Sequence, residues 1–389
     1  MVVNRRQNNV CLKNFCIFAD INTHDYIMNN LPYIVLRDPE GARENLLPLS
    51  FTRPLSELRL GILTLREKWQ MLLPGNYSWE TAGYLTPKFG RAAAPAKYII
   101  DSDIIPTRTY VDALERGIDM EPERIVNLYD IFMKNGEAIE ADFRLVTKGR
   151  SSGPLSESNT VIGDPSLIFL EPGARVEGAF LNTTHGPIYI GKDAEVMEGS
   201  CLRGPVALCE HSVVNMGTKI YGATTIGPWC KVGGELNNVV MIGYSNKAHD
   251  GFLGNAVIGE WCNLGAGCVA SNLKNDYTEI KLWNYPAHRF LKTGLQFCGL
   301  IMGDHSKAGI NTMFNTATVV GVGVNIHGSG FPRNFVASFS EGGASGFSDV
   351  SLNKFFDIAR RVMARRGKEL SEADCQIFRH IYDYADRFK

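Results

Sequence analysis

The chain lacks any long apolar run. No stretch of its 389 residues approaches the roughly 18 that a membrane-crossing helix needs. It lacks net charge: 40 Lys and Arg against 41 Asp and Glu leave a formal −1. No global field therefore draws it to nucleic acid or to an anionic membrane. None of its nine cysteines forms a Cys-x-x-Cys pair, which removes the usual zinc and redox motifs, and no metal ligand set is expected. The first thirty residues hold one short apolar patch, Phe15 to Ile21, broken by Asp20. No convincing cleavage site follows it, so a signal peptide is rejected. Residues 1–30 are expected to be a poorly ordered extension, and the protein a reduced, cytoplasmic one.

The centre of the chain also lacks a helical or simple strand period. From Ile190 every sixth residue is a branched aliphatic: Ile190, Val196, Leu202, Leu208, Val214, Ile220, Ile226 and Val232. Small or β-branched residues sit four places after seven of the eight, at Ala194, Ser200, Val206, Ser212, Thr218, Thr224 and Cys230; the eighth is Leu236. Period six fits neither 3.6 nor 2. It is the hexapeptide repeat of a parallel β-helix, three hexads to a triangular coil, with the aliphatic pointing into the prism. The abundance of glycine, 39 residues, suits so many turns. The period resumes at Ile258 and Leu264, and again through Met302, Ala308, Phe314, Val320 and Ile326. The intervals at about 234–251 and 271–299 are expected to be loops leaving the prism. Cys230, Cys262 and Cys268 fall at the small position, where a compact apolar side chain is wanted.

The rest of the chain divides around that prism. Residues 31–147 read as an α/β domain, with strands near 32–36 and 98–100 and an amphipathic helix near 63–72. A Gly/Ser-rich connector leads to the prism, 160–335. Residues 346–389 read as two helices, the first capped by Ser348 or Asp349 and the second by Ser371. Arg360, Arg361, Arg365 and Arg366 crowd the end of the first, where cations are favourable and a solvated face suffices as explanation.

Chemistry concentrates in one segment. Lys247-Ala248-His249 precedes Phe252-Leu253-Gly254, then Ile258-Gly259, Asn263-Leu264-Gly265-Ala266-Gly267 and Ser271-Asn272-Leu273. A histidine here serves either as a structural residue or as a general base near neutral pH. This text, continued by Gly303-Asp304-His305-Ser306-Lys307-Ala308-Gly309, resembles the acetyltransferase half of GlmU. That family is bifunctional, an N-acetylglucosamine-1-phosphate uridyltransferase and glucosamine-1-phosphate acetyltransferase. The resemblance covers about 160–335 and implies a left-handed prism. It implies His249 as general base, Asn263 as a ligand of the acceptor sugar, and Ala266, Asn272 and Leu273 lining acetyl-CoA. Phe252 replaces a tyrosine that holds the sugar phosphate, and Asn238 stands near a family lysine; both, with Lys247, are expected at the substrate.

The N-terminal part resembles a truncated sugar nucleotidyltransferase domain. Tyr33-Ile34-Val35-Leu36 precedes a loop that keeps only Gly41 and Arg43 of the family's glycine-rich G-x-G-T-R, then Pro48 to Pro54. Glycines there let backbone amides approach phosphates. The resemblance implies Arg43 and Arg53, with Lys88, as nucleotide-binding candidates, and Mg²⁺ only where nucleotides are transferred. The whole then implies an acetyl-CoA-dependent N-acetyltransferase of an amino-sugar phosphate, working as a homotrimer on small molecules, without nucleic acid or membrane. Two alternatives stand beside it: a bifunctional sugar-nucleotide enzyme, and a non-catalytic binding scaffold.

Overall fold

The structure, a computed structural model, describes residues 31–389; the expected extension at 1–30 lies outside the described residues. A parallel strand triplet opens it: β1 (Tyr33–Arg37) lies between β2 (Asn76–Glu80) and β3 (Tyr98–Asp101). Helix α1 (Leu65–Leu72) starts at a capping box, Thr64 with Glu67, which satisfies two otherwise orphaned N–H groups. Its Trp69 packs with Ile34, Leu36 and Ile100 and with Val111 of α2 (Arg108–Glu115). Helix α3 (Asn135–Thr147) then runs to the connector.

The prism is a left-handed parallel β-helix whose rungs pair in register from Thr160 to Gly343. Every period-six aliphatic from Ile190 to Val232 is at most 1% exposed, and Met302, Phe314, Val320 and Ile326 at most 2%. Each such side chain contributes roughly 1.5–3 kcal/mol by leaving water. Cys230, Cys262 and Cys268 are equally buried, and the seven cysteines among the described residues are free.

One expectation is overturned. Residues 234–251 do not leave the prism. They form three rungs, two within Glu235–Gly243 and one at Asn246–Lys247. The period of six fails there because the coil is short. Val213 stacks on Lys231, but Lys231 stacks on Asn246 and Asn246 on Asn263. The corner at Gly233-Gly234 has lost residues, and a Cβ on Gly233 would lie 2.5 Å from Ala248 O. Six residues after Lys247 the inward ladder continues at Leu253, with Phe252 outward. The interval 271–299 does leave, as a loop carrying an antiparallel hairpin, Lys281–Asn284 with Arg289–Lys292.

The three faces differ. The first carries Lys219–Tyr221, Glu235–Asn237 and Phe252–Gly254; the second Thr224–Ile226, Val239–Met241 and Ala256–Ile258; the third Lys231–Val232, Asn246–Lys247 and Asn263–Leu264. Outward residues of the second face are fully buried, apolar at Ala207, Val240, Val257, Ile301 and Val319, with Thr225 donating its hydroxyl to Gly61 O (3.0 Å). Most of the chain outside the prism packs on this face. Phe51, Leu55 and Phe132 come from the N-terminal domain, and Ile280 and Leu282 from the hairpin loop. Phe355 and Phe378 come from α4 (Leu352–Ala364) and α5 (Glu372–Ala385). Ser351, not Ser348 or Asp349, caps α4, because Gly346–Asp349 is a strand. Ser371 caps α5 in a capping box with Asp374. The first face stays open, and the third is touched by Arg366, past the end of α4, which donates to Asn246 Oδ1 (3.4 Å).

Candidate active site

His249 stands exposed on the edge between the third and first faces. Two residues before it the chain leaves the third face at Lys247; three residues after it the first face begins at Phe252. The corner is held from below, where Asn215 Nδ2 donates to Ala248 O (2.7 Å). Ala266 occupies the same edge one coil up: Gly267 N donates to Asp250 O (3.1 Å). Asn263 lies outward and exposed on the third face, on the rung above Asn246.

Across the first face the floor is bare. Gly254 has no room for a side chain, because a Cβ would sit 2.5 Å from Phe252 Cζ and 2.7 Å from Asn272 Nδ2. Phe252 and Asn272 therefore meet over Gly254. Asn272 Nδ2 donates to Asn255 Oδ1 (2.8 Å), which fixes the amide at the far edge. Thus the first face at this level runs from His249 across Phe252 and Gly254 to Asn272. Leu273 starts the hairpin loop, bridged to Phe297.

Two expected substrate ligands are not there. Lys247 points into the prism and is 1% exposed. Its Nζ donates to Gly233 O (3.0 Å) and His249 O (2.5 Å), and burial pulls its pKa down to about 8. Asn238 lies on the opposite edge. With its amide turned to suit its neighbours, Nδ2 donates to Phe132 O (2.7 Å) and Oδ1 accepts from Asn255 Nδ2 (3.0 Å). A side chain so engaged ties the prism to the N-terminal domain and is not free for a sugar phosphate.

The N-terminal candidates are also taken. Arg53 is buried, ion-paired with Asp304 and Glu260 of the prism, the latter at 3.3 Å. Opposite charges outweigh desolvation and raise its pKa. Arg43 is buried too, donating to Ser50 O (2.6 Å) and Tyr84 Oη (2.8 Å). Lys88 pairs with Asp374 of α5 at 2.8 Å. Both arginines thus hold the fold and are withdrawn from the expected nucleotide role.

Sequence reading missed the acids at the carboxyl ends of these strands, where open α/β sheets bind ligands. Asp38 follows β1, and Asp101 and Asp103 end or follow β3. An acid pair, Asp101 and Asp103, at the end of the Tyr98-Ile99-Ile100 strand was the available signal. Mg²⁺, which the resemblance attaches to nucleotidyl transfer, does not fit them as they stand. Arg124 spans Asp101 (3.2 Å) and Asp103 (2.7 Å). Asp38 accepts from Leu55 N (3.0 Å) and from the Ser102 and Thr81 hydroxyls. Among the described residues no group of three or more His, Cys, Asp or Glu could hold a metal.

Known proteins resemble the chain over part of its length. A sugar nucleotidyl transferase family model matches residues 33–122. A bifunctional sugar-1-phosphate nucleotidylyltransferase/acetyltransferase of Sulfurisphaera tokodaii is 28% identical over 144 residues, 36% of this chain and 35% of that one. The bifunctional protein GlmU of Alkaliphilus metalliredigens is 25% identical over 194 residues, 43% of this chain and 42% of that one. The GlmU of Methanocaldococcus jannaschii is 30% identical over 87 residues, 22% of this chain and 21% of that one. The chain spans less than half the length of the curated relatives it matches. The chain is thus similar to a sugar nucleotidyl transferase family over residues 33–122 and, over part of its length, to bifunctional proteins of the GlmU kind.

Proposed function

We propose that the chain is an acetyl-CoA-dependent N-acetyltransferase acting on an amino-sugar phosphate of the glucosamine-1-phosphate kind. One observation carries the reading: a solvent-facing imidazole on the prism edge, beside a glycine-floored face that ends at Asn272, with Ala266 one coil above it. His249 takes a proton as the sugar amine attacks the thioester carbonyl; the C–S bond breaks and coenzyme A leaves as the thiol. Asn263 holds the acceptor, and Ala266, Asn272 and Leu273 line the acyl donor. No metal enters this step. The N-terminal domain serves chiefly to cover the second face.

The active unit is a homotrimer. The uncovered first face presents Phe180, Tyr221, Val269 and Met313 outward, 36–47% exposed, with Met216 and Ile310 on its edge. These exposed apolar side chains, interspersed with Arg203, Lys219 and Glu235, supply an association surface with a polar setting, and closed cyclic symmetry is the common result. Release of free thiol from acetyl-CoA, measured against a panel of amino-sugar phosphates, tests the activity. Thiol release dependent on one acceptor supports it; none with any acceptor, from protein that binds none of them in thermal shift, points to the scaffold reading.

A further inference from the structure

Lys247 occupies a place built for an aliphatic. On the third face the inward column runs Val196, Val214, Val232, Lys247, with Leu264, Ala308 and Ile326 above. A lysine there must bury an amine among apolar neighbours, which costs free energy unless its donors are satisfied. They are satisfied by two carbonyls from successive corners, Gly233 O and His249 O. Among the described residues neither carbonyl receives a backbone N–H. The cause is the shortened corner. Val232 reaches the first face at Glu235 in three residues, whereas Lys247 needs five to reach Phe252. The two corners fall out of step, and the carbonyls that a regular coil would pair are left facing the prism interior.

We infer that Lys247 is the positioning residue of His249: its amine ties the His249 carbonyl to the coil beneath and fixes the backbone from which the imidazole projects. This rests on the reading of His249 as the general base. Bonds from a charged donor are roughly twice as strong as neutral ones, and at neutral pH the amine is mainly charged, with Asp250 and Cys268 the ionisable groups nearest it. Methionine would fill the same space without reaching either carbonyl as a donor. The corner would keep its packing and lose its anchor.

The test is a double-mutant cycle on the full-length protein, with oligomeric state and melting temperature measured for each variant. Lys247→Met should fold and lose about 10–100-fold in kcat, the scale of a catalytic group displaced by about an ångström, with the acetyl-CoA KM changed less than about twofold. In a His249→Ala background the same substitution should cost less than about twofold, because nothing remains to position. Lys247→Gln, which keeps a shorter donor, should lie between. A folded, fully active Lys247→Met overturns the inference. So does an equal loss in both backgrounds, or the unfolding of every substitution at 247, either of which makes the lysine a stability residue. Full activity of His249→Ala alone sinks the base reading beneath it; an inactive His249→Ala beside a fully active Lys247→Met sinks only the positioning role.

Discussion

Arg53 of the N-terminal domain and Asp304 of the prism form an ion pair buried on both sides, with side chains 7% and 4% exposed. Thr52 Oγ1 donates to the same carboxylate (2.6 Å), and Glu260 N donates to its other oxygen (2.8 Å). The pair joins sequence positions far apart at the covered second face. Removing one partner leaves the other buried and uncompensated, which typically costs about 3–5 kcal/mol. Asp304→Ala should therefore lower stability on that scale. Arg53→Leu combined with Asp304→Leu should cost less than Asp304→Ala alone. Chemical denaturation of the three proteins checks it, and a near-neutral Asp304→Ala contradicts it.

The same engagement bears on nucleotidyl transfer. Arg43, Arg53 and Lys88 each face an internal partner, and Arg124 spans the acids after β3. Little or no uridylyl or thymidylyl transfer is expected with Mg²⁺ and any sugar 1-phosphate. Turnover on the order of 1 per second, ordinary for an enzyme, would show that these pairs open for substrate.

The prism was legible because burial imposes a period: one inward residue in six, read directly from Ile190 to Val232. Legibility ended where corners changed length. Gly233-Gly234 removed residues without removing a rung, so 234–251 looked like a loop and Lys247 looked like a surface ligand. Lys247 carries the same letter whether it faces solvent or the core; only the register with Val232 decides. His249, Asn263 and Ala266 were found by resemblance, and the structure sets them on one edge and its adjoining face. The burial of Arg43 and Arg53 was not legible, because their partners Ser50 O, Tyr84 and Asp304 are set by tertiary contacts.

His305 gives a pH dependence. Its ring lies under α4 and α5, 5.6 Å from Phe355 and 5.2 Å from Phe378 between centroids, and Nδ1 has no partner. Burial, with Lys307, Lys88 and Arg53 adding to it, lowers its pKa well below the ordinary histidine value of 6.5. The unfolded chain therefore binds a proton below pH 6.5 that the folded one refuses, and stability is lost as pH falls through that value. His305→Phe removes the titration. Between pH 7 and pH 5 the wild type should lose stability relative to this variant, with the loss growing as pH falls below 6.5. Parallel denaturation curves at the two pH values would contradict the assignment.

Association through the first face predicts a homotrimer at micromolar concentration by sedimentation. Val269→Asp puts a charge on the exposed face without touching the inward ladder, since Ala270 is the buried neighbour. It should dissociate the trimer and leave a folded monomer with much reduced acetyl transfer. A wild-type protein sedimenting as a clean monomer removes the trimer altogether.

His249→Ala is the sharpest test of the active-site reading. A positioned acid–base group is usually worth about 10²–10⁴-fold, so acetyl transfer should fall by that factor. The trimer and melting temperature should survive, because the imidazole is exposed and fills no place in the ladder. Asn263→Ala should act otherwise. Its side chain is exposed on the third face and is proposed to hold the acceptor, so the acceptor KM should rise with a smaller change in kcat. If His249 were only a structural corner residue, the opposite pattern would appear: a lower melting temperature and an unchanged rate per folded molecule. Rate and thermal unfolding measured on one preparation separate the two, and a folded His249→Ala protein with full activity removes His249 from the chemistry.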